Sequence, residues 1–377
     1  MTRKPEPSPL VAAITAEKQH ARAGGPRVGG QSNYSDPVSW AREAGLVYVC
    51  DTDKGITRSR KGKGFTYIGI DGKTIRNADT LDRIRMLAIP PAYTQVWICK
   101  NERGHLQATG RDARRRKQYR YHPKWRDERD RGKFERVVEF AQQLPAMRRR
   151  LKRDLAQPGL PRQKVLALIV SLLEETLIRV GNDEYAKENN SFGLTTLRSR
   201  HIKALPGRLL FNFRGKSGKE HEVELDDKRL VKAVRQVQDL PGQRVFQYID
   251  DEGTRQPVDS SMVNEYLREI TGGEFTAKDF RTWGGTTQAV AVLARTPLPE
   301  TGGERAIRVT LKEAVQEVAD TLGNTPTVCR KSYIHPEIFE GWRDGSLHRA
   351  VPPETGRHPR QLELKTQAFL KRRLRRR

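Results

Sequence analysis

The stretch RQKVLALIVSLLEETLIRVG, residues 162–181, sets the class of the second half of the chain. Its apolar residues recur at the three- and four-residue spacing of an amphipathic helix, and Gly181 stands where a C-cap is wanted. The same periodicity runs through KFERVVEFAQQLPAMRRRLKRDL, residues 133–155, before it. After it, TAKDFRTWGGTTQAVAVLA (276–294) opens with the capping-box pair Thr276 and Asp279. ERAIRVTLKEAVQEVADTLG (304–323) predicts a further helix closed by Gly323. Helices dominate from about residue 130, interrupted by RLLFNFRGKSGKEHEVEL (208–225), which reads as two strands around a Gly-Lys-Ser-Gly turn.

Upstream the pattern changes. LVYVC (46–50), FTYIGI (65–70), QVWICK (95–100) and HLQATG (105–110) are short strand-like pieces separated by turns, among them Asp71-Gly72. Between them NADTLDRIRMLAIPP (77–91) predicts a short helix stopped by Pro90-Pro91. The expected organisation is a Pro-, Gly- and Arg-rich disordered tail over 1–35, a β-rich domain over 36–127 and a mainly helical domain over 128–350. A basic, solvated C-terminal tail over 351–377 closes the chain. HPKWRDERDRG (122–132) is the expected hinge. No internal repeat stands out.

The chain has 377 residues, enough for two domains with real cores. Its 71 Lys and Arg against 46 Asp and Glu leave a net charge of +25, spread over every region, which favours an extended polyanion as partner, nucleic acid first. No apolar run is long enough to span a bilayer, and PLVAAI near the N-terminus is too short for a signal-peptide core. Cys50, Cys99 and Cys329 are far apart and form no CxxC pair, so neither a zinc site nor a disulfide framework is expected; a reduced, cytoplasmic compartment fits.

The chemistry narrows by elimination. Acidic residues are scattered among bases, as in RDERDRG (126–132) and LDDKR (225–229), and do not cluster as a two-metal site requires. GKSGKE (215–220) lacks the spaced glycine of a nucleotide-binding loop and falls in a hairpin. Neither ATP, nor another cofactor, nor a metal is expected. Metal-free phosphodiester cleavage remains: arginines to hold the phosphate, a lysine to protonate the leaving oxygen, and a tyrosine nucleophile whose ordinary pKa of about 10 nearby cations must lower. CRKSYIHPEIF (329–339) offers such a tyrosine, yet from these residues alone Tyr333 could equally pack in the core or contact DNA.

Taken in order, GRDARRRKQYRYH (110–122), IRVGNDEYAKENNSFGLTTLRSRHI (178–202), FRGKSGKEH (213–221), KDFRTWGG (278–285) and GNTPTVCRKSYIHP (323–336) resemble type IB DNA topoisomerases, particularly the small bacterial and poxvirus-type enzymes. The resemblance covers about residues 45–340. It implies an α+β fold with a small β-rich N-terminal lobe and a mainly α catalytic domain of the tyrosine recombinase/topoisomerase IB type, forming a C-shaped clamp on DNA. It implies a monomer without membrane association, acting on double-stranded DNA at the nucleoid, with no cofactor.

By the same resemblance Arg179 and Arg281 match the arginines that hold the scissile phosphate, Lys216 the general acid and Tyr333 the nucleophile. Gln118, Tyr119 and Tyr121 match positions that meet the duplex, Tyr185 resembles a further phosphate-contacting tyrosine, and Lys278 is expected to contact DNA as well. Lys278, in Lys-x-x-Arg, separates topoisomerases from tyrosine recombinases, which usually show His-x-x-Arg there. The rival readings are a recombinase or integrase and a non-catalytic basic DNA-binding protein. One position departs from the pattern: Asn324 stands nine residues before Tyr333, where most members carry histidine. A carboxamide donates a neutral hydrogen bond but adds no positive charge. Asn324→His is therefore expected to retain activity. A loss of more than about a hundredfold in cleavage rate, about 2.7 kcal/mol, would show that asparagine is specifically required.

Overall fold

The computed structural model describes residues 37–375 except Lys63, Arg114, Arg116 and Gly302. The tail expected as disordered over 1–35, and the final two arginines, lie outside the described residues. The chain divides into two compact units after Arg115, earlier than the boundary expected at 127.

In the first unit, strands β1 (Ile56–Lys61), β2 (Gly64–Ile68), β3 (Thr94–Ile98) and β4 (Leu106–Arg111) pair antiparallel in the order β2-β1-β3-β4. Helix Ala78–Met86 starts on Asn77, whose side chain accepts the Thr80 N–H. A small core of Ile56, Ile84, Val96, Ile98 and Ala108 lies between helix and sheet. Two arginines staple the loops: Arg83 donates to Gln107 Oε1 at 2.8 Å and the Cys99 carbonyl at 2.7 Å, and Arg58 to the Tyr93 carbonyl at 2.6 Å. The stretch between LVYVC and FTYIGI, expected as a turn, contains β1, while within LVYVC Val47 makes an isolated bridge to Gly104. β1 is hard to read because its sequence, ITRSRK, has one buried apolar residue and three cations.

The second unit is mainly helical. After strand β5 (Lys117–Tyr121) comes helix Pro123–Leu155, which runs straight through the expected hinge. His122 and Pro123 are a start signal: the His122 ring accepts the Lys124 N–H at 3.2 Å, and Pro123 occupies the first turn. Helix Arg162–Thr176 is the buried centre of this unit, with Val165 to Val170, Leu172 and Leu173 all buried. Around it pack helices Lys228–Gln238, Ser260–Thr271 and Ala277–Arg295. The expected hairpin is β7 (Arg208–Arg214) and β8 (Glu220–Leu225), extended to three strands by β6 (Ile202–Leu205). Helix Gly303–Thr321 follows, then the short helices Pro326–Ser332 and Pro336–Arg343.

The C-terminal stretch is not the solvated tail its charge suggested. Pro359–Leu374 is a helix that buries Leu362, Thr366, Phe369 and Leu370. Gly341 makes room for the Phe369 ring, which a β-carbon there would overlap. Arg373 bridges Glu337 and Asp344, so one of the tail's cations is structural. Phe369→Ala is expected to cost about 3–5 kcal/mol of stability, the usual range for a buried aromatic. Urea unfolding measures it, and a loss below about 1 kcal/mol would restore the solvated reading.

Candidate active site

Arg179, Lys216, Lys278, Arg281 and Tyr333 line one pocket of about 260 Å³ in the second unit. They come from separate elements, each held there by an identifiable constraint. Helix Arg162–Thr176 ends before the expected cap: Leu177 adopts a left-handed conformation at φ 53°, and its N–H reaches the Leu173 carbonyl. Arg179 therefore lies on an extended segment beyond the helix. The Leu194 N–H donates to the Arg179 carbonyl at 2.9 Å and the Thr195 N–H to the Val180 carbonyl at 2.7 Å. The two chains approach so closely that a β-carbon on Gly193 would stand 2.6 Å from the Gly181 nitrogen. Gly181 serves this contact, at φ 101°, and is not the helix cap.

Arg281 sits one turn into helix Ala277–Arg295, whose capping box between Thr276 and Asp279 is present as expected. Asp279 also pairs with Arg136 at 3.1 Å, which ties this helix start to the long helix Pro123–Leu155. The Arg281 guanidinium is 3% exposed and donates to two backbone carbonyls, those of Leu177 and, at 2.6 Å, Leu322. Burial and then the neighbouring Arg179 lower its pKa to about 10, which still leaves it charged at neutral pH.

Tyr333 ends the helix Pro326–Ser332 and is 8% exposed. The Arg281 guanidinium carbon lies 5.1 Å from its ring centre. Burial acts to raise the phenol pKa, but Arg281, Arg179 and Lys278 outweigh it and hold it below the ordinary value. Asn324 is 6% exposed. Its Oδ1 accepts from Arg179 Nη2 at 2.6 Å, and its Nδ2 is buried without a hydrogen-bond partner in the described structure. Asn324 stands behind Arg179 and is not among the residues that line the pocket. Lys219 donates to the Asn324 carbonyl at 2.6 Å and is not among the pocket-lining residues, which distinguishes it from pocket-lining Lys216.

Of the residues expected to meet DNA, Tyr185 and Lys278 line this pocket and are exposed. Gln118, Tyr119 and Tyr121 do not; they lie on β5, where the Tyr119 and Tyr121 rings stack at 5.9 Å. Cys329 is a buried thiol whose pKa is pushed up to about 11 by burial.

Two further elements of the site had weaker signals. Gly284 and Gly285 stand consecutively inside a helix, which costs propensity and marks a close approach. A β-carbon on Gly284 would meet Leu177 Cδ2 at 2.6 Å, and one on Gly285 the Tyr333 carbonyl at 2.8 Å. Thr286, one position on, accepts the His335 N–H at 3.1 Å and donates to the Tyr333 carbonyl at 3.3 Å. His221 on β8 lies against Gly323, and no feature of the sequence singled it out.

Among the described residues no group of three or more His, Cys, Asp and Glu is placed to hold a metal, and no helix is long and apolar enough to cross a membrane.

The family described as eukaryotic DNA topoisomerase I, catalytic core, matches residues 122–346, well over half of the chain. The chain belongs to the type IB DNA topoisomerase family. Residues 64–112 match the N-terminal domain of bacterial DNA topoisomerase IB, which supports a bacterial-type enzyme. A DNA topoisomerase 1B of Acanthamoeba polyphaga mimivirus is 32% identical over 286 residues, 74% of this chain and 85% of the viral protein. The DNA topoisomerase 1B of vaccinia virus (strain Copenhagen) is 24% identical over 272 residues, 70% of this chain and 80% of its own length. The protein is thus a DNA-binding isomerase with DNA topoisomerase I function, which decides against both rival readings.

Two outcomes follow from the geometry. Gly→Ala in a helix ordinarily stabilises by about 0.5–1 kcal/mol. Gly285→Ala is instead expected to displace the Tyr333 backbone and slow plasmid relaxation by about tenfold or more; unchanged relaxation would separate Gly285 from Tyr333 placement. His201 and His221 are both held at about 4, by burial first and then by neighbouring cations. Between about pH 6.5 and 4 the unfolded chain binds protons on them that the folded chain does not, so they remove stability as pH falls through that window. Urea unfolding of the double variant His201→Gln, His221→Gln should show a shallower acid loss than the unsubstituted chain. Equal slopes would contradict the assignment.

Proposed function

We propose that the chain relaxes positive and negative supercoils by cutting one strand of duplex DNA through a transient 3′-phosphotyrosine on Tyr333, without ATP or metal. The observation that carries this reading is the buried Tyr333 phenol, set under Arg281 with its pKa lowered by cations, in one pocket with Lys216.

The Tyr333 oxygen attacks phosphorus in line. The P–Oη bond forms as the P–O5′ bond breaks, the phenol proton leaves to solvent, and the Lys216 ammonium gives its proton to the departing 5′ oxygen. Charge growing on the non-bridging oxygens meets Arg179, Arg281 and the Asn324 Nδ2 donor; such preorganised donors are commonly the largest single contribution to rate. One phosphoester replaces another, so no external energy is needed. The free strand rotates under torque, and the 5′ hydroxyl then reverses the attack.

Tyr185 and Lys278, exposed at the pocket, and Gln118, Tyr119 and Tyr121 on β5 contact the duplex. Phosphate contacts of this kind position the protein without reading sequence. The chain works as a monomer in the cytoplasm, on nucleoid DNA.

Plasmid relaxation in EDTA without ATP tests this directly. The unsubstituted chain is expected to relax supercoiled plasmid, while Tyr333→Phe, which keeps the ring and removes the nucleophile, binds DNA but leaves it supercoiled. A Phe variant that still relaxes plasmid would remove Tyr333 from the chemistry.

A further inference from the structure

Lys216 is exposed on a turn whose Ser217 and Gly218 both adopt left-handed conformations. A flexible side chain on such a turn delivers a proton to one oxygen only if the turn itself is fixed. One fixing contact is the hydrogen bond from Lys219 to the Asn324 carbonyl.

Another is a ring. His221 pairs with Phe213 across the hairpin, and the two rings stack at 5.1 Å and 4°. The imidazole edges lie against two glycines. A β-carbon on Gly215 would stand 2.5 Å from His221 Cδ2 and 2.6 Å from Nε2. One on Gly323 would overlap Cε1 and stand 2.9 Å from Nδ1 and from Nε2. Gly215 immediately precedes Lys216, and Gly323 immediately precedes Asn324. His221 Nε2 is buried without a hydrogen-bond partner in the described structure, so the ring contributes shape there, not a bond.

We infer that His221 is a positioning residue, an uncharged planar spacer that sets the turn carrying Lys216 against the turn carrying Asn324. The inference rests on the reading of Lys216 as general acid. Its imidazole is neutral at neutral pH, because burial and the facing cations Arg179, Arg281 and Lys219 disfavour the charged form. A charged or missing ring would change the spacing, and a misplacement of about 1 Å can cost about a hundredfold in rate.

The test uses the full chain and a duplex built on its strongest mapped plasmid cleavage site. Single-turnover cleavage is measured with an ordinary scissile phosphate and with sulfur in place of the bridging 5′ oxygen. A thiol of pKa about 8.5 leaves as thiolate without being protonated, so this substrate does not need the acid. His221→Ala and Gly215→Ala are expected to cleave the ordinary duplex about tenfold or more slowly, with DNA affinity unchanged, and to regain nearly the unsubstituted rate on the sulfur duplex. His221→Gln, planar and uncharged, should stay within about threefold of the unsubstituted chain on both.

A His221→Ala variant as fast as the unsubstituted chain on the ordinary duplex, or equally slow on both, would overturn the inference. So would a Gln variant as slow as Ala. Lys216→Ala is the control. If sulfur fails to restore it, the reading of Lys216 falls and the inference with it. If sulfur restores Lys216→Ala but not His221→Ala, only the inference falls.

Discussion

The guanidinium of Arg281 is the interaction around which the catalytic unit is arranged. It is nearly dry, it donates to two main-chain carbonyls, and among the described residues no carboxylate pairs with it. Burying a cation this way is costly, and a carboxylate would offset the cost more fully. A carboxylate would also fill the place that the proposed mechanism gives to the phosphate. The carbonyl dipoles hold the cation while leaving its net charge unneutralised, so the site keeps an electrostatic demand for an anion.

That arrangement explains otherwise separate features. Leu177 is held in a left-handed conformation, unusual for leucine, and so ends its helix with a carbonyl turned to Arg281. Gly284 admits the Leu177 side chain and Gly285 admits the Tyr333 backbone, so one pair of glycines brings both ends of the site to the same helix. The Leu322 carbonyl comes from the turn that presents Asn324, which Arg179 in turn grips by its Oδ1. Arg281 is thus held by main-chain carbonyls from both sides of the site, and Arg179 by a side chain.

Much of this was legible in the residues. Helical periodicity, the Thr276–Asp279 capping box and the hairpin turn are local signals, and each element stands where its signal lies. Arg179, Lys216, Arg281 and Tyr333 were singled out by motif, and they converge on one pocket. What escaped was set by tertiary contact. Gly181 looks like a cap but serves the approach to Gly193; the basic segment at 122–132 looks like a hinge but begins a helix on His122 and Pro123. The C-terminal cations hid the buried face of Leu362, Phe369 and Leu370. His221 carries no local mark, since its meaning lies in two glycines far apart in the chain.

In the proposed mechanism the Tyr333 phenol, its pKa lowered by neighbouring cations, becomes covalently joined to DNA. The most direct measurement is to stop a relaxation reaction with denaturant, digest protein and DNA, and locate the nucleotide-bearing peptide by mass spectrometry. A single adduct is expected, a 3′-phosphonucleotide on Tyr333, with a free 5′ hydroxyl on the other strand end. An adduct on another residue, a 5′-phosphate linkage, or relaxation with no covalent species would contradict it.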